Sequence, residues 1–260
     1  MTSPTARTTP QGAWLRRFHP DPQARIRLVC FPHAGGSASY YFPMSAALPP
    51  GVETVAIQYP GRQDRRREPL IPDIGELADR IAAELSGDPA GAGTPMAFFG
   101  HSMGAVLAFE VALRLEEEGA PGPVRVFASG RRAPGRHRPD AVHRESDAVL
   151  VEEMRRLGGT DARWLQDPEL MAVVLPVIRN DYRAVELYRG GADRVTDAPV
   201  TVLTGDADPH TSLAEAEAWR QHTRGGFELV TFSGGHFFLE QHQEAVTDVV
   251  TEALGPFLVG

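Results

Sequence analysis

Residues 96–104 read MAFFGHSMG, a short apolar run that leads directly into the pentapeptide G-x-S-x-G. The run follows a loop rich in glycine and proline, which is typical of a buried strand. After the pentapeptide, apolar residues recur at a helical period until Gly119, so a helix is expected there. A serine between such a strand and such a helix lies on a sharp turn that exposes its hydroxyl. The pattern predicts a nucleophile at Ser102; the alternative is a glycine-rich turn without chemistry.

The rest of the chain alternates between strand and helix patterns. Apolar runs that predict strands occupy residues 26–31, 54–57, 124–128, 200–203 and 227–232. Helical patterns lie between most of them. This alternation predicts an α/β fold with a mostly parallel, doubly wound sheet. Ligands bind at the carboxyl ends of the strands in such sheets, so functional residues are expected in the loops there.

The alternation stops after Gly130. From residue 131 to about 196 there is no strand pattern, but two helical patterns are present. Ser146 is the expected cap of the first helix, and Asp167 with Pro168 is the expected start of the second. We therefore expect one domain over residues 1–260, with a helical insertion at about 131–196 that forms a lid.

A serine hydroxyl needs a general base, and the base needs an acidic group to orient it. The strand at 200–203 is followed by Asp206 and Asp208, and the last strand is followed by His236. A proline after Asp208 keeps that residue extended, which favours it over Asp206 as the acid; Asp206 is then a turn-forming carboxylate. The chain order Ser102, Asp208, His236 is the order of the catalytic triad in the α/β-hydrolase fold.

Attack on an acyl carbon places negative charge on the carbonyl oxygen, which backbone N–H groups can stabilise. One donor is expected at Met103, directly after the nucleophile, and the other at Ala34, in the glycine-rich loop after the first strand. The other functional interpretation of this loop is phosphate binding, but no Gly-Lys-Ser/Thr sequence follows it. His33 and His101 lie beside these donors and are expected to pack rather than to catalyse.

Composition excludes several other classes. The formal net charge of −8 argues against nucleic acid as a partner. No apolar run approaches the ~20 residues of a membrane helix, and residues 1–11 lack the apolar core of a secretory signal, so a cytoplasmic protein is expected. Cys30, the only cysteine, lies in an apolar run, so it is expected to be buried. No metal-ligand pattern is present, and neither a metal nor a cofactor is expected.

Five segments together resemble the type II thioesterases that accompany modular polyketide and nonribosomal peptide synthases. They are FPHAGGSA at 31–38, QYPGR at 58–62, GHSMGA at 100–105, ASGRRAP at 128–134 and GGHFF at 234–238. The resemblance covers about residues 14–257. It implies an enzyme that hydrolyses acyl thioesters from the phosphopantetheine arm of acyl or peptidyl carrier domains. It also implies Ser102 as nucleophile, Asp208 as acid, His236 as base, and Met103 with Ala34 as oxyanion donors.

Docking of acidic carrier domains on this acidic chain would need local positive charge. Two arginine clusters follow predicted strand ends: Arg62, Arg65, Arg66 and Arg67, and then Arg131, Arg132, Arg136 and Arg138. They are either a docking surface or an ordinary solvated face. The insertion would close over an acyl chamber with Trp164 and Met171 in its wall, unless these residues only pack the lid against the body.

Three other functions use the same fold. A small-molecule carboxylesterase or lipase would apply the same triad to an oxygen ester. A binding protein would keep the fold without turnover. An acyltransferase would exclude water from the acyl-serine intermediate.

Overall fold

The computed structural model describes residues 13–159 and 164–258. Within this part, seven strands form one sheet: β1 (Leu15–Arg16), β2 (Ile26–Phe31), β3 (Val52–Ile57), β4 (Met96–His101), β5 (Val126–Ser129), β6 (Val200–Gly205) and β7 (Phe227–Phe232). Every strand expected from the sequence is present. The two-residue strand β1 is additional, because two residues carry no readable pattern. Residues 1–11, where a secretory signal was not expected, lie outside the described part.

The strands are arranged in the order β1-β3-β2-β4-β5-β6-β7. Strand β1 is antiparallel to β3, and the other neighbours are parallel, so the predicted mostly parallel, doubly wound sheet is confirmed. The order reverses between β2 and β4, since the chain leaves β2 towards one edge and leaves β4 towards the other. The loops after two such strands diverge and leave a crevice between them. These two loops carry Ala34 and Ser102.

Eight α-helices are present in the described residues: α1 (Phe42–Ala47), α2 (Ile74–Ser86), α3 (Met103–Glu117), α4 (Asp147–Leu157), α5 (Pro168–Leu187), α6 (Leu213–Glu217), α7 (Phe238–Gln241) and α8 (Gln243–Leu258). Strands β2, β3 and β6 are buried along their whole length because helices cover both faces of the sheet. Side chains of α2 and α3 pack on one face, and those of α7 and α8 on the other. None of the helices described has the length and hydropathy needed to cross a bilayer.

Helices α4 and α5 lie in the segment between β5 and β6. Their N-caps are Ser146 and Asp167, as predicted. The two helices share an apolar cluster of their own, which includes Leu150, Met154 and Ile178. A helical insertion is therefore present, while its action as a lid stays a prediction. Residues 160–163 and the side chain of Trp164 lie outside the described part, so the predicted place of Trp164 in a chamber wall does too.

Candidate active site

Ser102 stands on the turn between β4 and α3. Its backbone has φ 55° and ψ −115°, a region that side chains other than glycine rarely adopt and that is associated with functional sites. The two glycines of the pentapeptide make this turn feasible. A Cβ atom at Gly100 would lie 2.1 Å from the Gly104 oxygen, and one at Gly104 would lie 1.9 Å from the Phe31 oxygen. The predicted strand-turn-helix geometry around Ser102 is therefore present.

The structure brings Asp208 and His236 together. Asp208 follows β6 and His236 follows β7, and Nδ1 of the imidazole lies 2.9 Å from Oδ2 of the carboxylate. Both residues are buried. The other oxygen of Asp208 accepts the backbone N–H of His210 at 2.8 Å. An Nδ1–H donated to the carboxylate leaves Nε2 as the basic nitrogen.

Asp206 has a different place. Its carboxylate accepts the backbone N–H of Gly234 at 2.9 Å. Gly234 belongs to the loop that carries His236, so Asp206 ties the loop after β6 to the loop after β7. This arrangement agrees with the turn-forming role predicted from the sequence.

Burial determines the protonation of the histidines near Ser102. It lowers the pKa of His236, although the neighbouring Asp208 raises it. Burial also lowers the pKa of His33 to about 3 and that of His101 well below its usual value. His101 is fully buried, and its Nδ1 lies 3.0 Å from the Ser129 hydroxyl. His101 is thus a packed side chain, as expected, and His236 is neutral near pH 7, as a general base must be.

We expect the pH profile of kcat/KM to report this lowered pKa. A protonated imidazole cannot accept the serine proton, so activity should fall as the pH drops through the pKa of His236 and be constant above it. The midpoint of this acidic limb should lie below the ordinary histidine value of about 6.5. Steady-state rates with a small acyl thioester between pH 4 and pH 8 measure it. A midpoint above 7 would contradict the assignment.

Both residues predicted as oxyanion donors lie near Ser102, and their role as donors stays a prediction. Met103 is the first residue of α3, so its amide has no acceptor within the helix and lies at the positive end of the helix dipole. Ala34 lies in the loop after β2 and lines the same cavity as Ser102 and His236.

Two adjoining cavities meet at this point. The first, called the polar cavity here, has a volume of about 170 Å³, and Ser102, His236, Arg131 and Glu153 are among its lining residues. The second, called the apolar cavity, has a volume of about 420 Å³. Its walls come largely from α4 and α5 and include Met154, Leu157, Leu170, Met171, Val174 and Ile178. The residues common to both cavities are His33, Ala34, Leu157, Tyr182 and Phe237.

The arginines proposed for docking differ in their burial and in their partners. Arg62, Arg65 and Arg132 are buried and form ion pairs with Asp181, Glu68 and Asp140, respectively. The guanidinium groups of these three are paired within the protein, which argues against the predicted docking role of Arg62, Arg65 and Arg132, and that role stays a prediction. Arg66, Arg67 and Arg136 are exposed. Arg131, Arg132 and Arg138 line the polar cavity, and Arg138 is paired with Glu215.

His210, which no sequence pattern indicated, also lines the polar cavity. Its Nε2 lies 2.5 Å from a carboxylate oxygen of Glu153, so it connects the loop of Asp208 with α4. The centre of its ring is 5.4 Å from that of His236. Its position two residues after Asp208 was the only available signal, because the partner Glu153 is distant in the sequence.

The strand order, the serine turn at the switch point and the acid and histidine after β6 and β7 define a protein of the α/β-hydrolase fold. The family model described as "Thioesterase domain" matches residues 26–254. The chain belongs to the thioesterase family, which confirms the enzyme class implied by the sequence resemblance.

Similar proteins support this assignment. The "Probable cadicidin biosynthesis thioesterase" of Streptomyces griseus is 55% identical over 94% of this chain, and the chain spans 66% of that protein. "Thioesterase PikA5" of Streptomyces venezuelae is 48% identical over 92% of this chain and 84% of its own length. Among solved structures, the type II thioesterase BorB from the borrelidin biosynthetic cluster superimposes with a TM-score of 0.85 at 46% identity. That match covers 95% of this chain and all of BorB.

Proposed function

We propose that this thioesterase hydrolyses acyl groups from the phosphopantetheine arm of acyl or peptidyl carrier domains, and so clears a modular polyketide or nonribosomal peptide synthase. The proposal is supported by similarity to PikA5 and to BorB, which is named a type II thioesterase of a biosynthetic cluster. The proposed chemistry depends most on one observation. Nδ1 of His236 lies 2.9 Å from Oδ2 of Asp208, and His236 lines the same cavity as Ser102.

The proposed reaction has two halves. Oγ of Ser102 attacks the thioester carbonyl carbon while Nε2 of His236 takes the hydroxyl proton. The N–H groups of Met103 and Ala34 stabilise the tetrahedral oxyanion, which collapses to an acyl-serine as the pantetheine thiol leaves with the proton. Water then attacks the acyl-serine with His236 as base, and the free acid and the serine hydroxyl are restored. Asp208 keeps the imidazole oriented and balances its charge.

The two cavities suggest where the substrate lies. The polar cavity contains Ser102 and would receive the thioester, whereas the apolar cavity would receive the acyl chain. The volume of the apolar cavity is within the range of small-molecule sites. Met171 lines it, in agreement with its proposed place in the chamber wall.

The acyl-chamber role is tested by filling the apolar cavity. Val174 lines the cavity, whereas its neighbour Val173 on α5 is 62% exposed. We expect Val174→Trp to lower kcat/KM for a decanoyl thioester by about 10-fold or more relative to a propionyl thioester, because the indole occupies the chain's space. Val173→Trp is the matched control and should leave the preference unchanged. If Val174→Trp reduces both substrates equally, the chain is bound elsewhere.

For docking, we propose the exposed Arg66 and Arg67 as contacts for an acidic carrier domain. Charge reversal of both should raise KM for a carrier-bound thioester, by about 10-fold for two charged contacts, since each weak surface pair contributes modestly. The KM for a small thioester of N-acetylcysteamine should stay constant. Equal KM values for the carrier substrate in variant and parent would rule out this surface.

The decisive experiment is mass spectrometry of an acylated carrier domain before and after incubation with the protein. Loss of the acyl mass, with the free acid as product, is expected. A matched oxygen ester serves as the comparison, because faster cleavage of the ester would indicate a carboxylesterase instead. Acyl transfer to an added thiol or amine rather than to water would indicate an acyltransferase. An acyl mass that never declines would indicate a protein without turnover.

A further inference from the structure

The loop that carries Ala34 rests directly on helix α5. The backbone N–H of Gly35 donates to Oδ2 of Asp181 at 2.8 Å. Gly35 has φ +77°, and a Cβ atom there would lie 2.6 Å from the side chain of Ile178. Ile178 and Asp181 are three residues apart on α5, so they lie on one face of the helix. One face of the insertion therefore supports the glycine next to the proposed oxyanion donor.

Asp181 is a buried carboxylate with its hydrogen bonds satisfied. It is 2% exposed, and its Oδ2 also accepts a hydrogen bond from Nη2 of Arg62 at 2.5 Å. Oδ1 accepts from the Asn180 side chain at 3.2 Å. Arg62 is itself buried and lies against the ring of Tyr59. A buried charge persists only when it is paired and hydrogen-bonded in this way.

Arg62 is in turn fixed to the body of the protein. The Gln58 side chain donates to the Arg62 carbonyl at 3.2 Å and accepts the N–H of Ala38 at 2.9 Å. The loop after β3 and the loop after β2 are thus joined by one amide side chain. Asp181 adds the third element, α5, to this junction.

We propose that Asp181 is a positioning residue for the reaction: its carboxylate, balanced by Arg62, holds the Gly35 amide and so orients the N–H of Ala34 towards the oxyanion. The Gly35 N–H belongs to the peptide plane that follows Ala34. Fixing this plane restrains rotation of the Ala34 backbone, and that rotation sets the direction of the Ala34 N–H. Arg62 has a second effect, since an unpaired carboxylate near the developing oxyanion would repel it. This inference rests on the proposed function, as it concerns the donor at Ala34.

The test compares Asp181→Asn, Arg62→Gln and the double variant. Both oxygens of Asp181 accept hydrogen bonds, so in Asp181→Asn the NH2 group must face a donor, either Asn180 or the pair of Gly35 and Arg62, and the loop is no longer held in place. Asp181→Asn should therefore lower kcat by about 10- to 100-fold with KM within a few-fold, because a misplaced donor weakens the transition state rather than substrate binding. Arg62→Gln should lose more, since it leaves the carboxylate unpaired. The double variant should lose less than the product of the two single losses, because the two side chains act as a pair. Melting curves show whether each variant is folded. If Arg62→Gln is unfolded, the double variant, which has no buried charge at this pair, takes its place in the comparison.

A second readout separates positioning from a merely structural role. A trifluoromethyl ketone analogue of the substrate forms an oxyanion on binding, whereas a thioether analogue does not. Asp181→Asn should weaken the first inhibitor by a factor similar to the loss in kcat and leave the second unchanged. The matched control is Arg179→Gln on the same helix. It removes hydrogen bonds to the carbonyls of His143 and Glu145 and to the Asp147 carboxylate, but none to the Gly35 loop, and it should keep the ratio of the two inhibitors.

Labelling of Ser102 by a fluorophosphonate completes the test, because it needs an oxyanion site but no thioester. If the parent protein is labelled and Asp181→Asn is labelled at least about 10-fold more slowly, the inference holds even where carrier-bound thioesters are not the substrate. Unchanged labelling and unchanged kcat in Asp181→Asn would overturn it. Parallel weakening of both inhibitors, matched by Arg179→Gln, would also overturn it in favour of general loosening of α5.

Discussion

Ser102→Ala should abolish removal of acyl groups from a carrier domain, with a fall in kcat on the order of 10⁴- to 10⁶-fold. The alanine has no nucleophile to form the acyl-enzyme, while the proposed donors at Met103 and Ala34 and the histidine are retained. Only a small residual hydrolysis should therefore remain. The measurement is the decay of the acyl-carrier mass, together with the loss of the acyl-serine adduct on the intact protein.

The control for this variant is Ser86→Ala, at the exposed end of α2. It makes the same chemical change far from the cavity and should keep the parent rate. The melting temperature of Ser102→Ala should equal or exceed that of the parent. The backbone N–H of residue 102 still donates to the Ser129 carbonyl in this variant. Deacylation at the parent rate by Ser102→Ala would falsify the mechanism.

The two aspartates after β6 should respond very differently to the same substitution. Asp208→Asn should lower kcat by about 10³- to 10⁴-fold, because an amide cannot stabilise the imidazolium and can favour the wrong tautomer of His236. The contact of 2.9 Å between Asp208 and His236 is the geometric basis for this expectation. The acidic limb of the pH profile should also move to lower pH, because the Asp208 carboxylate raises the pKa of His236 and the amide does not.

Asp206→Asn is the matched control, two residues away in the same loop. Its amide oxygen can still accept the N–H of Gly234. The substitution only replaces a charged acceptor by a neutral one in a single hydrogen bond, so kcat should stay within about 10-fold of the parent. The comparison is made with purified variants on one small thioester. The acid has been assigned to the wrong residue if Asp206→Asn is the more damaging of the two.

Most of the fold could be predicted because its signals are local. Apolar runs, helical periods, caps such as Ser146 and Asp167, and the glycines around Ser102 each act within a few residues. Their order along the chain is enough to specify a parallel α/β sheet, since the connections between parallel strands are short and right-handed. The carboxyl ends of the strands then meet at one edge, so the approach of Asp208 to His236 followed from the placement of each after a strand.

Which of the arginines are buried and which are exposed could not be predicted in this way. Arg62, Arg65, Arg66 and Arg67 stand within six residues of sequence, yet the first two are buried and the last two are exposed. The burial of Arg62 depends on a carboxylate from a distant part of the chain, because its partner is Asp181, 119 residues away. No local pattern contains that information.

The chain's own sequence was therefore sufficient for the sheet and for the positions of Ser102, Asp208 and His236 at the ends of its strands, because these depend on short-range periodicity and on the order of elements. The apolar cavity beneath α4 and α5, the contact of His210 with Glu153 and the support of the Gly35 loop by Asp181 arise only after the chain has folded. Each joins side chains far apart in sequence, and such contacts are determined by packing between elements, which neither composition nor spacing encodes in readable form.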